Sequence, residues 1–189
     1  MKKTLAMLLG IMLLSVCVLA GAEQPAETLG TLSVNGSFRI QCRLPEGYNL
    51  SVLDADSASI IASVTSEDAS KPRITLSIAF NDSFTAEDGT AMRLNDLSAE
   101  TVEAMKNSFL EQMYSAEVKE AETAYGTKLL IVNGEITEGS RIVDIWSVYK
   151  SYEIEVVAYA GSGLEAEGLT EEQIAMIIDF LSDMDFVEA

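Results

Sequence analysis

Beyond residue 30, apolar residues recur at every second position, a spacing that predicts strands with one covered and one wetter face. Asn35-Gly36 separates Leu32-Ser33-Val34 from the run Phe38 to Leu44, and this dipeptide tolerates the positive φ angles of a tight hairpin. Pro45-Glu46-Gly47 predicts the next turn. Tyr48 to Val52 alternates again, Asp54 to Ser57 breaks the pattern, and Ser59 to Val64 reads as another short strand. The clearest alternation is the fifth, where Ile74, Leu76, Ile78 and Phe80 share a face. Asn81 to Asp96 is polar without periodicity and reads as a surface loop.

The period then changes. Ser98 stands as an N-cap, Glu100 and Glu103 favour a helix N-terminus, and Val102, Met105, Phe109 and Met113 recur on one helical face. Alternation returns in Glu117–Thr123 and Thr127–Val132 around Gly126, and Asn133-Gly134 reads as a second hairpin turn. Two longer strands, Arg141–Lys150 and Tyr152–Tyr159, meet at Lys150-Ser151. In the second, Tyr152, Ile154, Val156 and Ala158 face one way and Glu153 and Glu155 the other. After an acidic loop, Gly161 to Gly168, a final helix is marked by a Thr170/Gln173 capping box. Leu169 can staple onto Ile174, and Ile174, Ile177, Ile178 and Leu181 form its apolar stripe. The order is five strands, helix, four strands, helix. This predicts an α+β fold: a mainly antiparallel sheet of about eight to nine strands with two amphipathic helices packed on it.

Residues 1–22 have a different character. Lys2 and Lys3 precede an apolar run, Leu5 to Ala20, and Ala20-Gly21-Ala22 supplies small residues for a cleavage site, which together read as a secretory signal peptide cut after Ala22. Leu14-Ser15-Val16-Cys17 faintly resembles a lipoprotein box, against which Val16 argues; an uncleaved anchor would sit at or below the lower length for spanning. The expected organisation is signal peptide 1–22, a flexible N-terminal segment 23–30 and one domain over 31–189. The destination is secreted or otherwise extracytoplasmic, with the membrane reached only through a retained or lipidated N-terminus.

Charge narrows the choice of partners. The chain holds 12 Lys+Arg against 30 Asp+Glu, and loss of the leader's two lysines moves the net charge from −18 to −20. Nucleic acids and anionic lipid surfaces repel such a chain, whose acids read chiefly as a soluble, self-repelling surface. Without the leader, Cys42 is the remaining cysteine and no internal disulfide can form. It alternates with Phe38, Ile40 and Leu44 and reads as a buried, inert thiol.

Candidate chemistry is sparse. The chain has no histidine, which removes the common triads and most catalytic zinc sites. Ser147-Val148-Tyr149-Lys150 matches S-x-x-K, but on a strand the first and last residues point to opposite faces and cannot act together. Calcium could be taken through Asp54 and Asp56 or through Asp82, Glu87 and Asp88, although turn-forming acids explain both sets; an EF-type loop opened at Asp54 has Ser59 and Thr65 where glycine and glutamate belong. A two-carboxylate hydrolase is formally open, but no acid pair reads as lying beside an aromatic cluster. Trp146, Tyr149, Tyr152 and Tyr159 gather on two neighbouring strands and could line a ligand groove or a protein contact. Asn35, Asn49 and Asn81 each open an Asn-x-Ser sequon.

The segments Phe38-Arg39-Ile40 to Leu44-Pro45-Glu46-Gly47-Tyr48, the helix near Leu97–Tyr114, Val148-Tyr149-Lys150 to Tyr152-Glu153-Ile154, and Ile177-Ile178-Asp179-Phe180-Leu181-Ser182 to Phe186 together resemble the PsbP-like family. The resemblance spans roughly Phe38 to Phe186 and consists of packing signatures. It implies the fold and a non-enzymatic accessory or binding role, and carries no functional residue across. The expected function is an exported, non-enzymatic binding or protein-interaction domain without a cofactor, whose partner is another extracytoplasmic protein or a small ligand. The alternatives are a calcium-binding extracytoplasmic module and a carboxylate-based hydrolase.

Overall fold

A computed structural model describes residues 28–123, 125–161 and 168–188. The expected signal peptide, residues 23–27 and the middle of the acidic loop lie outside the described residues. Among the described residues ten strands pair antiparallel throughout, in two sheets. Strands β1 (Thr28–Val34) and β2 (Phe38–Leu44) form the expected hairpin, with Asn35 at φ 47° and Gly36 at φ 72° in its turn. β1 begins at Thr28, within the segment expected to be loose, because the hairpin register continues to a Thr28–Leu44 pair. The third member of this small sheet is β10 (Asp185–Glu188), which pairs with β2. Its four residues are too short for alternation to register, and the sequence pattern left it out.

The large sheet has seven strands in the order β3-β4-β5-β9-β8-β7-β6. They run Tyr48–Ala55, Ser59–Ser66 and Arg73–Phe80 for β3 to β5, and Ser115–Glu122, Lys128–Glu135, Arg141–Tyr149 and Tyr152–Tyr159 for β6 to β9. Asn133-Gly134 is not a turn but lies inside β7, and the chain reverses at Ile136–Ser140 around Gly139, φ 83°. Glycine is required at 134 because a Cβ there would stand 2.8 Å from the Ser115 carbonyl oxygen and 2.9 Å from the Ala116 Cβ. The residue serves close strand approach, not chain reversal.

The two helices cover opposite faces of the large sheet. Helix α2 (Glu171–Ser182), capped by the reciprocal Thr170–Gln173 bonds, joins the small sheet over the first face. Its Ile174, Ile177, Phe180 and Leu181 meet Phe38 and Ile40 from β2 and Ile74, Leu76, Ile78, Ile154 and Val156 from the large sheet in one buried cluster. Helix α1 (Ala99–Gln112), capped by Ser98, lies over the second face. There a smaller cluster gathers Phe84, Leu94, Val102, Leu130, Trp146 and Val148. The 81–96 segment is therefore more than a surface loop. It carries two 3-10 turns and sends Phe84 and Leu94 inward, Leu94 being only 1% exposed. Isolated apolar residues in a polar stretch have no period, which is why pattern alone misses them.

Candidate functional site

The second sheet face is covered only in part. Strict alternation along β8 and β9, set by the two-residue turn at Lys150-Ser151, puts Trp146 directly opposite Glu155 and on the same face as Glu153 and Asp144. Both turn residues are non-glycine with positive φ, 52° and 63°. Such a turn is held only by its surroundings. Ser151 is buried, its Oγ donates to the Phe84 carbonyl at 2.7 Å, and its backbone N–H donates to the Met92 carbonyl at 2.9 Å. The Thr85 hydroxyl and the Asn81 N–H donate to Ser151 in turn. The 81–96 segment is thereby fastened to the end of the β8–β9 hairpin, with the Phe84 ring 5.7 Å from the Trp146 ring.

Helix α1 completes the enclosure. Met105 and Phe109 are half-buried, and Phe109 stands 6.4 Å ring to ring from Trp146. Lys106 ties the helix to β6 through Glu120. Between α1 and the sheet remains a cleft of about 340 Å³ lined by Phe84, Met105, Phe109, Trp146, Glu153 and Glu155, with Ser108 and Gln112 on the helical wall. This size falls at the small end of ordinary ligand pockets.

Its electrostatics are one-sided. Glu153 is fixed: Oε1 accepts from Trp146 Nε1 at 2.7 Å and Oε2 from Asn81 Nδ2 at 3.1 Å. Glu155 reaches solvent, yet partial desolvation of its carboxyl, and then the Glu153 charge, raise its pKa. Behind them Asp144 is 5% exposed and its Oδ1 has no hydrogen-bond partner. Burial, with a smaller contribution from Glu155, pushes its pKa up to about 7. Among the described residues, no Lys or Arg forms an ion pair with any of the three.

The sequence candidates are placed as follows. Of the four aromatic residues, Tyr149 and Tyr152 sit in the main core against Phe38, at 4.9 and 5.5 Å between ring centroids, and Tyr159 is half-buried at the far end of β9. Trp146 alone of them faces the cleft, where it meets two carboxylates, so an acid pair does lie beside aromatic rings. Cys42 is buried, and desolvation raises its pKa to about 11. Ser147 donates to the Lys128 carbonyl, whereas the Lys150 ammonium sits 3.1 Å from Glu188, so the S-x-x-K pair is split between separate partners.

The acids of the two calcium candidates form turns. Asp56 accepts from the Ala58 and Ser59 N–H groups, both at 2.7 Å, which hold its carboxyl below the usual range, and Asp88 accepts from the Thr90 N–H. Asp54 accepts from the next N–H, Asp82 opens a 3-10 turn, and Glu87 is exposed. Among the described residues no three acids or cysteines converge as a metal site. Asn35 and Asn49 are exposed, while the Asn81 side chain is engaged by both Glu153 and the Ser83 N–H.

Two larger depressions, about 540 and 440 Å³, flank α2 and are more open. In the second, Tyr48 leaves a buried hydroxyl without a partner, but the surrounding polar groups serve one another: Lys71 donates to the Glu46 carbonyl, Ser70 to Asp68 and Gln173 to the Ser70 carbonyl.

No protein-family model and no curated protein matches the chain. Among solved structures, the chain is similar to the solution structure of cyanobacterial PsbP (CyanoP) from Synechocystis sp. PCC 6803, at 10% identity over 88% of this chain and 96% of that one, with a TM-score of 0.44. By its name, that protein belongs to the group whose packing signature the sequence resembles. The α+β architecture rests on the strands and helices described above.

Proposed function

We propose that this chain is an extracytoplasmic, non-enzymatic binding domain that receives a ligand in the cleft between α1 and strands β8 and β9. The observation that carries this reading is the cleft left between α1 and the sheet, at whose floor Trp146 is itself buried. A face meant only for packing would be closed by α1, yet Met105 and Phe109 stay half-exposed above a tryptophan and two carboxylates. The leader-like residues 1–22 support export.

Binding suits the site better than catalysis. Glu153 and Glu155 stand two residues apart on one strand and one face, so neither opposes the other across a bound substrate as a hydrolase pair must. Glu153 is also occupied by two donors. The chain has no histidine to act as a base at the cleft, and Ser108 accepts a bond from Gln112 with no base adjacent.

The test is a thermal-shift screen of a chemically mixed panel of small molecules on the wild type and on Ser108→Phe, which plugs the cleft from its helical wall. At least one compound is expected to raise the melting midpoint of the wild type and not that of a normally folded Ser108→Phe. A panel without effect, or effects that survive the plug, would overturn the reading.

A further inference from the structure

Resting on that reading of the cleft, we propose that its ligand is a small organic cation, an ammonium group carried on an apolar body. The cleft has two chemically distinct ends. Phe84, Met105 and Phe109 offer apolar surface contributed by the 81–96 segment and α1, while Glu153 and Glu155 on β9 supply negative charge at the sheet side. Trp146, 5% exposed, forms the floor between them, and its Nε1 fixes Glu153, so the carboxylates and not its ring face would hold the charge.

Three observations favour a cation over a neutral or anionic guest. Glu155 has no cationic partner among the described residues, so its charge is available at the cleft's mouth. The same sheet face buries a third carboxyl, Asp144, whose Oδ1 is unpartnered and which is coupled electrostatically to Glu155. A positive charge beside Glu155 relieves the mutual repulsion of all three. The chain's net charge of −18 adds a long-range field that concentrates cations near the surface and repels anions.

An organic cation also fits better than a bare metal ion. No three ligating side chains converge among the described residues, and a hard divalent ion needs six or more oxygen ligands. Glu153, with Trp146 Nε1 on one oxygen and Asn81 Nδ2 on the other, keeps only its remaining lone pairs and is oriented, not free to wrap an ion. What such a fixed carboxylate does well is receive one N–H donor from a defined direction. Metal-like encapsulation has no geometry here, whereas a single ammonium beside the β9 carboxylates with its carbon chain against Phe109 has both contacts.

Trp146 is the only tryptophan in the chain, so its fluorescence reports this cleft without labelling. The experiment titrates the full chain with n-hexylammonium, its neutral counterpart 1-hexanol, and calcium, following Trp146 emission, and repeats the series on Glu155→Gln. Hexylammonium is expected to give a saturable change, 1-hexanol at least ~10-fold weaker binding and calcium none at matched ionic strength. Glu155→Gln should lose about 10-fold for hexylammonium while leaving hexanol unchanged, the loss set by a charge-assisted hydrogen bond. Equal binding of hexanol and hexylammonium would overturn the cationic assignment and leave the cleft as an apolar site. A calcium response like that of the amine would replace the organic cation by a metal. No response to any probe, alongside compounds that raise the wild-type midpoint and fail on Ser108→Phe, would overturn the cation alone. No response together with an unresponsive panel would remove the binding reading itself.

Discussion

Asp144 sits in the middle of β8, 5% exposed, with a carboxyl oxygen that no group satisfies. An unfolded chain releases this proton near 3.8, whereas the folded one holds it to about 7. Across that window the native state binds the extra proton, so stability falls as pH rises and stays lowered above pH 7. The full penalty is on the order of 4 kcal/mol, from about three pKa units of preference for the protonated form. Asp144→Asn keeps the shape and removes the charge. It is expected to melt several degrees above the wild type at pH 8, with the gap closing toward pH 4, as followed by thermal denaturation at stepped pH. Superimposable melts at every pH would contradict this view of the residue.

At the level of elements, the cleft exists because a hairpin, a loop and a helix are fastened to one another. The Lys150-Ser151 turn sets the β8–β9 register, Ser151 holds the 81–96 segment, and α1 is tied to β6 through Lys106 and Glu120. The edge that supports α1 depends on Gly134, where a methyl group would collide with β6 backbone at 2.8 Å. Gly134→Ala is therefore expected to cost about 1–3 kcal/mol, the range for overpacking, and to show as a lower denaturation midpoint; an unchanged midpoint would mean that β6 shifts freely.

The same elements mark what pattern could reveal. Asn35-Gly36 lies between two alternating runs and is a hairpin turn, whereas Asn133-Gly134 has the same letters but sits where a neighbouring strand comes too close for any side chain. The difference is tertiary and leaves no local trace. The 3.6-residue stripes located both helices, but a stripe does not say which sheet face it will cover. For the cleft, the placement of Trp146 against Glu155 was within reach: a two-residue turn at 150–151 pairs 149 with 152, and counting outward pairs 146 with 155. Phe84 and Leu94 were not, since single apolar residues in a polar stretch carry no period.

At the scale of the molecule, the two sheet faces have different duties. One is sealed by the small sheet and α2 around a large continuous core that includes Phe38, Leu76, Ile154 and Ile177. That side holds the fold. The other has a smaller core, a helix with half-exposed Met105 and Phe109, and acids in place of aliphatic residues on β8 and β9.

The most direct measurement is a titration of the labelled chain with n-hexylammonium followed by nitrogen–proton NMR, because one tryptophan gives one indole N–H signal and that N–H is bonded to Glu153. Binding in the cleft predicts that the Trp146 indole signal and the amides of Met105, Phe109 and Glu155 move together along one saturation curve, while those of Cys42 and Phe186 stay still. An indole signal that does not move, or shifts confined to the depressions beside α2, would contradict it.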